Sequence, residues 1–221
     1  MIKVAKFFSV FFHPLFLTFY NFLYFIFLSD AKGAGLGFII TLFFLACVMI
    51  PIFYTVLVIY KENRDVEWEQ FSDMSMLSRK KLLAYTIIYN VIFLLFVISL
   101  SPAFLGDFKP MFASVLMGFV FAMMLSFALH LLNIKNSLHA LNASFFLVYC
   151  LVFSWKIPGI ESLENTRTSL FLIFGGVNFI ALIGVIWARL YSKAHTIKEI
   201  AYGLFVGIIS PVILTLLTYG I

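Results

Sequence analysis

The sequence predicts an all-α fold, a polytopic membrane helix bundle of about seven transmembrane helices. Three observations carry that reading. Of the 221 residues, 63% are hydrophobic and only 11% charged, whereas a soluble domain is nearer half apolar and a quarter charged. Several apolar runs reach the roughly 20 residues a helix needs to cross a bilayer. Aromatics make up 19% of the chain, and Tyr20, Tyr24, Trp155, Trp187 and Tyr191 fall near the ends of those runs, where the headgroup zone favours amphipathic rings. In such a chain the net charge of +5 reports topology and not a nucleic-acid surface. Membrane lipids and other membrane proteins are the expected partners, and nucleic acid is not.

Seven segments follow in order within one integral membrane domain, residues 1–221. The first, about 7–28, follows Lys3 and Lys6 and has the basic start of a secretory signal. Its apolar region is too long and too bulky for a small-residue cleavage site, which predicts a retained helix. The second, about 36–60, leads into a polar loop, 61–81, whose Trp68, Phe71 and Met74 suit the interface. The third, fourth and fifth run over about 82–104, 110–132 and 138–155, the fifth being near the lower length limit. The sixth and seventh cover about 168–190 and 197–219. Pro14, Pro51 and Pro211 lie inside spans, where neighbouring helices can satisfy the freed carbonyls. Cys47 and Cys150 sit in separate apolar runs and read as packed free thiols.

Seven spans place the termini on opposite sides. The segments on the N-terminal side then hold eleven cations: Lys3, Lys6, Lys61, Arg64, Arg79, Lys80, Lys81, Lys135, Arg189, Lys193 and Lys198. The other side holds four: Lys32, Lys109, Lys156 and Arg167. The positive-inside rule therefore predicts a cytoplasmic N-terminus.

This topology sends three polar loops to one face, bearing "SRKK", "NIKNSLH" and "ARLYSKAHTIKE". Two of the four histidines, His139 and His195, arrive there with Lys135, Ser137, Arg189 and Glu199. His195 and Glu199 are four apart, so a carboxylate on the first helical turn can reach back to the imidazole, fix its tautomer and stabilise an imidazolium. The other ring nitrogen is then open to act as nucleophile or base. Arg189 offers a planar fork suited to phosphate. Plainer roles exist for each residue. Thr196 to Glu199 fits a capping box, Arg189 and Lys193 suit a helix C-terminus, Ser137 suits an N-cap, and His139 suits a satisfied interfacial position. Asn90, His130, Asn142 and Asn178, polar at membrane depth, admit a transport pathway but more commonly bond across helices.

The spacing Arg189, five residues, His195, three residues, Glu199 resembles the third signature of the type 2 phosphatidic acid phosphatase superfamily, Ser-Arg, five residues, His, three residues, Asp. Asn136-Ser137-Leu138-His139 is similar to its second signature, Pro-Ser-Gly-His, two helices upstream. "FFHPLFLTFY" and "KNSLH" are similar to a compact bacterial branch. The first signature, Lys, six residues, Arg-Pro, has only Arg79, Lys80 and Lys81 as stand-ins, and Ala188 stands in place of the Ser. The resemblance implies a phosphatidic acid phosphatase-like core and hydrolysis of lipid phosphates or polyprenyl (pyro)phosphates with no metal or other cofactor. It implies His195 as nucleophile, Glu199 as its partner and His139 as acid and base. Arg189, Lys135, Ser137, Arg79 and Lys80 would hold the phosphate. The rival expectation is an inactive relative serving as a complex subunit or lipid-headgroup binder.

Overall fold

The computed structural model describes residues 1–28, 36–61, 75–100, 108–156 and 164–219, all of whose regular structure is helical. In chain order the helices are α1 (Ile2–Phe11), α2 (Pro14–Leu28), α3 (Leu36–Phe44), a π-helical turn (Leu45–Met49), α4 (Ile50–Lys61), α5 (Met76–Ser99), α6 (Phe108–Leu131), α7 (Leu138–Lys156), α8 (Glu164–Tyr191) and α9 (Ile197–Tyr219). Each of the seven predicted segments is helical over its described residues, apart from the break at Phe12–His13 and the end residues Leu100 and Leu132. Trp68, Phe71, Met74, Lys32 and Arg64 lie outside the described residues, as do the side chains of Cys47, Lys109, Trp155, Lys156 and Arg167.

Local chemistry sets the helix ends. Pro14 opens α2 at the first helical position, where its missing N–H costs nothing, and the chain bends by 52° between α1 and α2. Helix α5 starts at Met76, six residues before the predicted 82, because Ser75 accepts the Ser78 N–H at 3.2 Å as an N-cap. The "SRKK" run is therefore helical and not loop. Helices α6 and α8 end in the same way. Asn133 (φ 59°) and Lys193 (φ 55°) are left-handed, and the paired bonds of a Schellman turn follow: Asn133 N–H to the His130 carbonyl with Ile134 N–H to that of Leu129, and Lys193 N–H to Leu190 with Ala194 N–H to Arg189.

Among the described residues, four helices are long and apolar enough to cross a membrane: Met76–Ser99, Phe112–Leu131, Leu172–Tyr191 and Ile197–Leu217. There are five if the bent α1–α2 pair forms one span. The chain is a membrane protein. Leu138–Val152 is apolar but shorter, and the 36–60 segment is divided by its π-turn.

The chain forms two compact units, residues 1–17 with 137–221 (unit 1) and residues 18–136 (unit 2). In unit 1, α7 packs between α8 and α9, and α1 lies along α8. Leu17, Ala143 and Ala181 form a buried cluster with Phe12 and Leu182 against it. The α7–α9 approach is close because glycines allow it. A Cβ on Gly203 would collide with the Ser137 carbonyl, and one on Gly207 with the Leu141 carbonyl and the Ser144 Oγ. This is small-residue packing of the kind membrane helices use, where burial against lipid supplies no net driving force. In unit 2, α5 packs on α6, and the interior is ring on ring. Phe22 meets Phe43 at 4.2 Å and Phe112 at 4.9 Å, and Phe43 meets Phe93 at 5.5 Å.

Candidate functional site

The α8–α9 turn is built from the end of one helix and the cap of the next. The Arg189 carbonyl accepts from Ala194 N–H at 3.1 Å and His195 N–H at 3.3 Å, which fixes His195 directly after the left-handed Lys193. Thr196 caps α9, its Oγ1 accepting the Glu199 N–H at 3.3 Å, and the Glu199 carboxylate reaches back to the Thr196 N–H at 3.0 Å. These two bonds are a complete capping box. The same oxygen, Oε2, also accepts from His195 Nδ1 at 2.9 Å. One carboxylate therefore caps the helix and orients the imidazole. With Nδ1 donating, the neutral His195 ring carries its lone pair on Nε2. The His195 side chain is 3% exposed and that of Glu199 17%, so the imidazole end of this bond is shielded from water, which strengthens it.

The α7 start is docked onto this turn. Ser137 N–H donates to the Glu199 carbonyl at 2.9 Å, and Ser137 Oγ caps α7 by accepting the Ala140 N–H at 3.4 Å. Gly203 makes room for the Ser137 carbonyl one turn further along α9. His139 thus sits on the first turn of α7, 8% exposed. Arg189, His13 and His195 all lie within electrostatic reach of its ring. Arg189 is itself 8% exposed. Unit 1 therefore gathers His139, His195, Glu199, Arg189 and Ser137 in one buried neighbourhood.

The other three predicted phosphate-holding residues belong to unit 2. Arg79 and Lys80 occupy the first turn of α5, and Lys135 the α6–α7 loop. Lys80 Nζ donates to Asn133 Oδ1 at 3.2 Å. Arg79, Lys80 and Lys135 are all within electrostatic reach of His130, whose Nδ1 faces the Ser126 carbonyl at 2.8 Å. Ser126 Oγ meets Asn136 Oδ1 at 3.0 Å, and Asn136 Nδ2 is buried with no hydrogen-bond partner.

Polar groups at membrane depth bond largely to the backbone. Asn90 Nδ2 donates to the Thr86 carbonyl at 2.7 Å, and Asn178 Nδ2 to that of Phe174 at 3.0 Å and to Cys150 Sγ at 3.7 Å. Asn142 Nδ2 donates to the Pro14 carbonyl at 2.7 Å. Cys150 is a buried free thiol.

His13 is a residue of this neighbourhood that spacing along the chain did not single out. Its ring meets the His139 ring edge-on, centroids 5.2 Å apart at 85°. The signal was His-Pro inside an apolar run, an unusual place for both residues. The Gly203-x-x-x-Gly207 pair was the second signal, a small-residue motif that marks close helix approach. Among the described residues no three His, Cys, Asp or Glu side chains are grouped so as to hold a metal ion. No protein-family model, curated protein or solved structure matches the chain.

Proposed function

We propose that the protein is a membrane-embedded lipid phosphatase of the type 2 phosphatidic acid phosphatase kind, acting on lipid phosphates or polyprenyl (pyro)phosphates. The observation that carries this reading is the part-buried His195–Glu199 pair at 2.9 Å with His139 and Arg189 beside it. His195 Nε2 attacks phosphorus, the bond from phosphorus to the lipid oxygen breaks, and that oxygen takes a proton from His139. Glu199 stabilises the imidazolium that attack creates, and Arg189 holds the non-bridging oxygens. His139 then takes a proton from water as the water attacks the phosphohistidine, releasing phosphate and restoring His195. The substrate's chains stay in the bilayer while its headgroup enters the loops. We place seven spans in a bacterial inner membrane, with the N-terminus and the histidine loops cytoplasmic, on the strength of the eleven cations against four.

A second reading has its own support. Because the Glu199 carboxylate completes a capping box, the turn also suits an inactive relative that binds lipid headgroups or a membrane partner.

The test is phosphate release from a panel of lipid phosphates by purified protein, with acid-quenched labelling to trap phosphohistidine. Wild type should release phosphate and carry label, and His195→Ala should do neither. Absence of release and of label from wild type across the panel selects the inactive relative.

A further inference from the structure

The break between α1 and α2 has a consequence for the chemistry of His139. In a continuing helix the His13 N–H would bond to the Ser9 carbonyl, four residues back. Here it turns to the Val10 carbonyl at 3.1 Å, because Pro14 supplies no N–H to carry the helix on. The Ser9 carbonyl instead faces His139 Nε2 at 3.2 Å. A carbonyl can only accept, so Nε2 bears the hydrogen, and Nδ1 is the ring atom left for proton exchange. The His13 ring stands edge-on against His139, and its own Nδ1 accepts the Leu15 N–H at 3.4 Å, which holds it in place. One turn along α7, Asn142 donates to the Pro14 carbonyl. The first two turns of α7 are therefore pinned to both sides of the break.

We propose that the Ser9–Pro14 elbow is the orienting group of His139, with His13 as a positioning residue that holds the His139 ring with Nδ1 presented to the leaving oxygen. It does for His139 what Glu199 does for His195, with one difference in kind. A neutral carbonyl fixes the tautomer but adds little to the stability of an imidazolium, whereas a carboxylate adds much. The two histidines are thereby made unequal: His195 is built to carry charge as a nucleophile, and His139 to take a proton at Nδ1 from the acid form of the incoming phosphate and pass it on to the leaving oxygen. Such separation of two like groups by their surroundings is how one site supplies both acid and base. The role of His139 as proton donor rests on the phosphatase reading above; its orientation by the elbow does not.

Two measurements separate these layers. The first is imidazole ¹⁵N NMR of the full-length protein in detergent or nanodiscs. Wild-type His139 should report the Nε2–H tautomer. Pro14→Ala supplies an N–H for the Val10 carbonyl, returns the His13 N–H to Ser9, and should shift His139 toward mixed tautomers. His13→Phe, which keeps a ring, should retain the tautomer, and His13→Ala should lose it. The second is phosphate release from two substrates. An alkyl phosphate has a poor leaving oxygen that needs a proton; p-nitrophenyl phosphate leaves without one. Pro14→Ala and His13→Ala should slow the alkyl phosphate by about 10²-fold, the scale of general-acid assistance, and p-nitrophenyl phosphate by much less. His13→Phe should restore most of the alkyl rate. Equal losses on both substrates, or a His139 tautomer indifferent to Pro14 and His13, would overturn the proposal. If wild type releases no phosphate while the NMR result holds, the phosphatase reading fails and the orienting elbow stands.

Discussion

Inside each of its two units this chain packs rings, and the units differ in what goes with that packing. Unit 2 packs by volume, with Phe22, Phe43, Phe93 and Phe112 meeting ring to ring. Unit 1 has ring pairs of its own, such as Phe145 with Tyr149, but adds close helix approach, with Gly203 and Gly207 letting α7 and α9 come together until backbone meets backbone. Rings can shift to absorb an added atom; close backbone approach cannot. It also does something rings cannot. Close approach brings the Ser137 N–H onto the Glu199 carbonyl, which registers the turn bearing His139 against the turn bearing His195. The unit that has the most to position is the one built with the tightest backbone contact.

Truncation in the ring-packed unit should have the largest effect on stability. Phe43 is fully buried and meets four other rings, those of Phe19, Phe22, Phe93 and Phe112. Phe43→Ala should destabilise by about 3 kcal/mol, the lower part of the range for a core Phe, measured by thermal unfolding in detergent. The same variant should leave the His139 tautomer unchanged, since the elbow and α7 belong to unit 1. A changed tautomer would show that the two units do not behave independently.

Enlargement in the glycine-packed unit comes next. Gly207→Ala sets a methyl against the Ser144 hydroxyl, which can rotate away, and the Leu141 carbonyl, which cannot move without moving α7. A cost of about 2 kcal/mol is expected for such overpacking. Any phosphate-releasing activity should fall further than this stability loss explains, because the α7–α9 register is disturbed. Ala at Gly203 should act the same way through the Ser137 carbonyl. Were Gly207→Ala neutral in both respects, close approach would not be what registers the two turns.

How much of this was legible in the sequence follows from the range of each interaction. The His195–Glu199 pair spans four residues and its capping box three, and both were readable from spacing because helical geometry is local. The Schellman ends of α6 and α8 are also local, but no glycine marked them. The early start of α5 turned on a single Ser cap. The elbow was out of reach: the His139–Ser9 and Asn142–Pro14 contacts join residues 130 and 128 apart, and no periodicity predicts where a broken first helix will fold back. Spacing also could not tell that Arg79, Lys80 and Lys135 would gather around His130 in unit 2, a histidine read at first only as a polar group at membrane depth.

A smaller effect separates the two jobs of the Glu199 carboxylate within unit 1. Thr196→Ala removes a cap at a cost of roughly 1 kcal/mol and should leave His195 paired. Glu199→Gln keeps a carbonyl oxygen for the Thr196 N–H but removes the charge that stabilises an imidazolium. It should therefore cost little stability and most of the phosphohistidine signal. Loss of stability alone in both variants would favour the headgroup-binding reading.

The smallest expected effect compares the units through one shared feature, the Schellman turn. Both C′ residues are left-handed, yet Lys193 carries a Cβ penalty of roughly 1–2 kcal/mol in that conformation, whereas Asn is among the residues that visit it routinely. Lys193→Gly should thus stabilise unit 1, by a few tenths of a kcal/mol up to about 1 once the greater freedom of an unfolded glycine is subtracted. Asn133→Gly relieves little strain and forfeits the bond from Lys80 Nζ, so it should be neutral or slightly destabilising. The two substitutions, identical in kind and made at the same position of the same turn, should then differ in sign. Thermal unfolding of both variants decides it. Equal shifts would mean that the Lys80–Asn133 bond contributes nothing and that Lys193 is no more strained than Asn133.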